Sequence, residues 1–283
     1  MNVRRASFAG SWYPDIPEAC EREIKQFLDG KEGLEIPKGP WVGGIVPHAG
    51  WYFSGAIACQ VIHALKTGTL PDLFILFGMH LHPASPNYIM TEGSWETPFG
   101  ELVIETELAR SLAKRFPFRI ETAQSHAKDN TIELQLPFIK YFFPKARVVP
   151  MGLPPKEASL EIGKAAAEIS SDLGMSARVV GSTDLTHYGF NYGFIPEGTG
   201  ASAVKWVRNE NDRKVIEAML AMNPTGVIEE ALTNQNACCS GAAAAAMAAG
   251  KVLGATSATQ TVYATSYDKS PGDSFVGYVG IVF

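Results

Sequence analysis

Cysteine is scarce in this chain, long apolar runs are absent, and basic residues are outnumbered by acidic ones. Each shortage closes a class of explanation. The four cysteines, Cys20, Cys59, Cys238 and Cys239, lack the dense spacing of a disulfide-built secreted protein. The adjacent pair would be strained as a disulfide, so a reduced, cytoplasmic protein is expected. No apolar segment is long enough to span a bilayer, and the alanine-rich stretch from Ala242 to Ala249 is cut short by Gly241 and by Gly250-Lys251. Arg4 and Arg5 precede no apolar stretch, so neither an export leader nor a membrane association is expected. With 24 Lys and Arg against 29 Asp and Glu, a net charge of -5, the chain offers no basic face for nucleic acid. Linker composition, low-complexity tracts and internal repeats are missing too. The 283 residues are therefore expected to form one domain, although about 150 residues per domain is a common allotment.

What is present suits a packed enzyme-like core: 46% hydrophobic and 19% charged residues. Short β-branched apolar runs alternate with helical spacing. Strands are expected at 42–47, 72–78, 147–151, 178–182, 260–266 and 275–282. Between them, helices are expected at 54–66 with Ser54 as cap, 105–116, 131–143 with a kink or stop at Pro137, and 156–173. Further helices are expected at 201–222, 224–232 and after Cys239. This alternation predicts a three-layer α/β sandwich with a mostly parallel or mixed central sheet.

Three strand ends carry chemistry: Pro47-His48-Ala49-Gly50, Gly78-Met79-His80 and Ser182-Thr183-Asp184-Leu185-Thr186-His187. In open α/β sheets functional groups gather beyond the carboxyl ends of the strands, so these stretches are expected to meet in one cleft. His48 alone is either a hydrogen-bonded core histidine or a ligand. His80 and His82 flank Leu81, which in an extended chain directs both to one face. Asp184 and His187, three apart, suit joint metal contact or an Asp orienting a proton-transferring His, and Asp184 alone also reads as a turn cap. Cys238 and Cys239 precede a helix whose N–H groups favour thiolate, although small buried residues are the plainer reading. Trp51, Tyr52, Phe53 and Tyr188 either line a pocket for an aromatic body or belong to the core.

Read together, Phe8-Ala9-Gly10-Ser11-Trp12-Tyr13-Pro14, Pro47-His48-Ala49-Gly50-Trp51-Tyr52-Phe53-Ser54-Gly55, Trp95-Glu96-Thr97-Pro98-Phe99-Gly100, Ile132-Glu133-Leu134-Gln135-Leu136-Pro137-Phe138, Ser182-Thr183-Asp184-Leu185-Thr186-His187-Tyr188-Gly189 and the cysteine segment resemble the Memo-like family (AmmeMemoRadiSam system protein B). That family is similar in fold to class III extradiol ring-cleavage dioxygenases. The resemblance implies one α/β domain with a non-haem-iron-type pocket. By position it implies metal ligands His48, His80 and Cys238, with Asp184 and His187 as the catalytic pair beside them. A Gly-Pro-x-His segment is usual where this chain has Gly78-Met79-His80-Leu81-His82. Counting back from Trp95 selects His80, and His82 remains the alternate. Gly241 aligns Cys238 with the family cysteine and leaves Cys239 where glycine is usual.

Two departures bear on the reaction. Asn130 stands where relatives carry histidine and cannot act as an acid or base near neutral pH. The thiolate replaces the dioxygenase carboxylate, which changes metal preference and oxygen handling. The expected cofactor is a first-row transition metal, Fe(II) first, with Cu or Zn as alternatives. The expected activity is that of an oxidoreductase or dioxygenase on a small molecule in the strand-end cleft. The competing reading is a non-catalytic module that keeps the pocket to recognise a peptide or protein. A cysteine hydrolase built on Cys238, His187 and Asp184 ranks last, because it leaves His48 and His80 without a role.

Overall fold

The structure, a computed structural model, describes residues 2–30 and 39–283. In chain order the strands are β1 (Val3–Arg4), β2 (Gly43–Val46), β3 (Leu73–Gly78), β4 (Asn87–Met90), β5 (Ser94–Trp95), β6 (Leu102–Val103), β7 (Phe118–Glu121), β8 (Arg147–Gly152), β9 (Ala177–Ser182), β10 (His187–Tyr188), β11 (Thr259–Thr265) and β12 (Phe275–Val282). Nine of them form one mixed sheet in the order β10-β12-β2-β9-β3-β8-β4-β7, with β11 also paired to β12. The centre, β2-β9-β3-β8, is parallel, while β12 against β2 and β4 against β8 are antiparallel. Near-continuous apolar runs such as Leu73-Phe74-Ile75-Leu76-Phe77 suit central strands covered on both faces.

Helices cover both faces, so the chain is an α/β sandwich. On one side, Ala56–Ala64 lies over β2 and β12, where an added side chain at Gly44 would strike Val61 within 2.6 Å. Pro17–Asp29 and Leu136–Phe142 pack beside it. Trp51 anchors this layer: its ring stacks on Phe138 at 4.2 Å and its indole N–H donates to the Leu134 carbonyl. On the other side, the alanine-rich helix Ser240–Val252 lies against β9 and against Glu157–Asp172. Alanine lets these elements approach closely. At Gly163 a Cβ would sit 2.3 Å from the Ala245 carbonyl, and at Gly181 one would sit 2.8 Å from the Ala246 Cβ.

Most of the expected strands and helices match, with boundary shifts of a few residues. Ser54 does not cap its helix. It lies within a π-type turn, Trp51–Gly55, and its hydroxyl donates to the Ala49 carbonyl. The helical run at 131–143 breaks into Asn130–Glu133 and Leu136–Phe142, with Pro137 accommodated in the first turn of the second helix. Arg4 is a buried anchor: its guanidinium pairs with Glu121 at 2.8 Å and lies 3.5 Å over Trp95.

Gly181→Ala forces a methyl into the Ala242–Ala246 surface and should cost about 1–3 kcal/mol by overpacking. Urea unfolding at constant m-value measures this, and an unchanged midpoint contradicts the close packing described.

Candidate metal centre

The order β2-β9-β3 sets three carboxyl ends side by side, and each hands the chain to one of the three motifs. From β2 comes His48, which is 2% exposed and held on every side. Its backbone N–H donates to Asp184 Oδ1 at 2.8 Å. The Asn130 amide donates to its carbonyl, and the Gln135 amide donates to the preceding carbonyl of Pro47.

Hydrogen bonding fixes the tautomer of His48. The Ser182 hydroxyl gives its single proton to the Thr131 carbonyl at 2.7 Å, so at 3.0 Å it accepts from His48 Nδ1. Nε2 is thereby the nitrogen turned to the cluster, able to give its lone pair to a cation that displaces its proton, the arrangement that outer hydrogen-bond partners impose on metal-binding histidines. Nε2 lies 3.1 Å from His80 Nε2 and 3.3 Å from Cys238 Sγ. Two ring nitrogens facing each other so closely need a proton or a cation between them, and a thiolate beside them completes a nitrogen–sulfur donor set suited to a transition metal.

His80 arrives because the chain turns sharply after β3. Met79 takes a left-handed conformation, φ 70°, unusual for a residue with a side chain, and its N–H is tied to the Thr131 hydroxyl at 2.7 Å. The turn directs the chain after β3 toward the end of β2. His80 joins His48, while His82 Nδ1 accepts from the backbone of Ala84.

The cysteines are pinned to β9's continuation. Cys238 N–H donates to the Asp184 carbonyl, and Cys239 N–H donates to the Thr183 hydroxyl. Donor atoms of His48, His80, Cys238 and Cys239 all fall within 4.8 Å of one another. Together they make a cluster able to hold a transition metal.

Charge is arranged accordingly. Burial alone would strip His48 of its proton, but the Asp184 carboxylate and the Cys238 sulfur outweigh it and push the group up to about 9. Burial would likewise raise the Cys238 thiol. Hydrogen bonding from Cys239, with the charge and hydrogen bonds of His48 and His80, instead holds it well below the ordinary thiol range. Cys239 moves the other way, raised by burial and by its neighbour's negative charge.

His187 opens β10 and is 31% exposed by side chain, with its Nε2 3.8 Å from Asp184 Oδ2. At that distance the contact is electrostatic and is not a hydrogen bond. Asp184 and Cys238 overcome the burial of His187 and raise its proton affinity. His48, His80, Asn130, Asp184 and His187 line one cleft of about 560 Å³, whose walls include Trp12, Tyr52, Phe53, Tyr192 and Tyr278. Of the four aromatics singled out in sequence, Tyr52 and Phe53 reach this cleft, while Trp51 and Tyr188 are core.

Several contributors carried no sequence signal of their own. Ser182, Thr131 and Gln135 act on His48 through contacts that only the folded sheet creates. Asp212, fully buried and raised by burial to about 6, accepts from the Thr186 backbone and from Tyr263, and so fixes the loop that carries His187.

The fold and the cluster define an α/β protein with a metal-type donor set at its parallel strand ends. The sequence pattern of the Memo-like protein family matches residues 4–282, and the chain belongs to that family. It is 34% identical to a MEMO1 family protein of Pyrococcus furiosus over 290 residues, 99% of this chain and 98% of that one. It is also 34% identical to one from Thermococcus onnurineus, with 99% of each chain covered. A crystal structure of an uncharacterized protein from Escherichia coli K12 superposes with a TM-score of 0.54 at 10% identity, covering 85% of this chain and 98% of that chain, a likeness of fold alone. Among the described residues no helix is long and apolar enough to cross a membrane.

In metal-free protein Cys238, which also borders a second cavity of about 330 Å³, should be the first of the four thiols to alkylate with iodoacetamide. Its rate should level off below the range in which ordinary thiols titrate, because the thiolate fraction saturates once pH exceeds the lowered value, whereas burial pushes Cys20 up to about 12. Mass-spectrometric mapping against pH checks this. A Cys238 rate still climbing through pH 9 contradicts the imidazolium–thiolate pairing.

Proposed function

We propose that His48, His80 and Cys238 bind a first-row transition metal, Fe(II) by preference, and that the cleft above them is the site of an oxidoreductase acting on a small molecule. The observation that carries this reading is the meeting of three donor atoms at 3.1 and 3.3 Å, two of them from histidines that line the same cleft as Asp184 and His187. When bound, the ion would supply Lewis-acid polarisation of a substrate oxygen and, for iron, a route for single electrons to oxygen.

The remaining work belongs to the chain. Asp184 holds the His48 backbone through Oδ1 and, through Oδ2, keeps His187 charged enough to donate a proton from Nε2. Tyr52, Phe53 and Tyr278 give the cleft apolar faces against which a flat substrate can pack while excluding water. Asn130 supplies a hydrogen bond where relatives are expected to carry an acid–base group. The thiolate and Asn130 together make simple catechols poor substrates.

A second reading, recognition of a peptide or protein without catalysis, is favoured by the exposed rings at the rim, Trp12 at 41% and Tyr52 at 65%. The cysteine-hydrolase arrangement is disfavoured, because Cys238 Sγ is paired at 3.3 Å with His48, the residue that the metal reading already uses.

Anaerobic loading with Fe(II), elemental analysis and oxygen uptake separate these readings. His48→Ala should lose bound iron. His187→Ala should keep it and lose turnover by about 10²–10⁴-fold. Wild-type iron content in His48→Ala contradicts the ligand set. Metal-loaded protein that consumes no oxygen with any aromatic substrate, yet keeps peptide binding in His187→Ala, favours the interaction module.

A further inference from the structure

Cys239 is the one member of the donor cluster that the function above leaves unused, and its position is unusual. It is 2% exposed, its sulfur lies 3.7 Å from Cys238 Sγ, and its N–H is anchored on the Thr183 hydroxyl at 3.0 Å. It also stands at the N-terminal end of a helix of 13 residues.

Donor spacing tests whether this sulfur belongs to the shell. For a four-coordinate ion with metal–sulfur bonds near 2.3 Å and metal–nitrogen bonds near 2.0–2.1 Å, tetrahedral edges are about 3.8 Å for S–S, about 3.5 Å for N–S and about 3.4 Å for N–N. The corresponding separations here are 3.7 Å for the two sulfurs, 3.3 Å for Cys238 to His48 and 3.1 Å for the two imidazoles. Three edges therefore already stand within a few tenths of an ångström of a tetrahedron. The widest separation in the cluster, 4.8 Å, requires one donor to move by about 1 Å.

We propose that Cys239 is a fourth, displaceable metal donor, so that the resting shell of this chain is closed with two nitrogens and two sulfurs. This rests on the metal reading of the site above and adds a regulation to it. The coordination position that three ligands would leave to substrate is occupied by the protein itself until Cys239 withdraws. On metal binding the Cys239 thiol releases its proton to solvent. A second thiolate also narrows the preference for Fe(II), because soft donors raise the affinity for Zn(II) and Cu(I) more than that for Fe(II).

Anaerobic titration with Co(II) reads the number of thiolates directly, through the sulfur-to-cobalt charge-transfer absorption, and the coordination number, through the intensity of the visible bands. Wild type should show a four-coordinate, two-thiolate spectrum. Cys239→Ala and Cys239→Ser should still bind one Co(II), with the charge-transfer intensity cut to about half and the visible bands weakened as water enters the shell. Their Zn(II) affinity should drop by about 100-fold, since even partners outside the shell are worth about 10- to 100-fold, while Fe(II) affinity changes less. Spectra identical to wild type in both variants, with binding abolished by His48→Ala, overturn the role of Cys239 alone. Failure of wild type to take up Co(II), or undiminished uptake by His48→Ala, overturns the metal reading and this inference with it.

Discussion

One residue, Asp184, ties the candidate site together. Its carboxylate accepts the backbone N–H of His48 and its carbonyl accepts the backbone N–H of Cys238, so two donors from opposite ends of the chain are fixed to a single peptide unit at the end of β9. Oδ2 then stands 3.8 Å from both His48 Nε2 and His187 Nε2, where its charge favours the protonated form of each ring. A carboxylate only 5% exposed is costly to bury without such partners. Hydrogen bonds to a charged acceptor contribute about 1.5–3 kcal/mol each, which makes the motif both a structural clamp and an electrostatic one.

The clamp works because the layers beneath it approach closely. β9 lies between β2 and β3, and small residues on the covering elements allow Ser240–Val252 to sit directly on it. That contact delivers the N-terminus of the helix, and with it Cys238 and Cys239, to the carboxyl edge of the sheet. On the opposite face, Asn130–Glu133 and Gln135 reach under His48 and hold its ring and both adjacent carbonyls. Glu133 in turn accepts from the Phe8 backbone and from the Tyr13 hydroxyl, which fastens the N-terminal segment to the same helix. These two motif segments, 8–14 and 132–138, therefore serve as scaffolding for His48.

How far this was legible in sequence depended on the range of the interactions involved. The central strands could be read because each is a continuous apolar run buried on both faces. The convergence of His48, His80, Asp184, His187 and Cys238 followed from their places at strand ends, once a parallel sheet was granted. The short strands Val3–Arg4, Ser94–Trp95 and Leu102–Val103 exist through pairing alone and have no periodicity to betray them. The burial of Arg4 had no mark in the sequence, because only the folded chain brings Glu121 and Trp95 to it. The choice of His80 over His82 rested on counting along the motifs, because nothing in the sequence marks the left-handed turn at Met79 that precedes them. Ser182 and Gln135, inside quoted motifs, had no assignable role until their partners across the sheet were in place. Asp212, which fixes the His187 loop, lay outside the motifs altogether.

The central claim is that sulfur and imidazole from this cluster share one metal ion. X-ray absorption at the metal edge of the protein loaded under anaerobic conditions tests it most directly, because the first-shell scattering distinguishes sulfur, near 2.3 Å for zinc, from nitrogen and oxygen near 2.0–2.2 Å. The account predicts a mixed nitrogen–sulfur shell in wild type whose sulfur scattering weakens in Cys238→Ser. A shell of nitrogen and oxygen alone in the wild-type protein contradicts it.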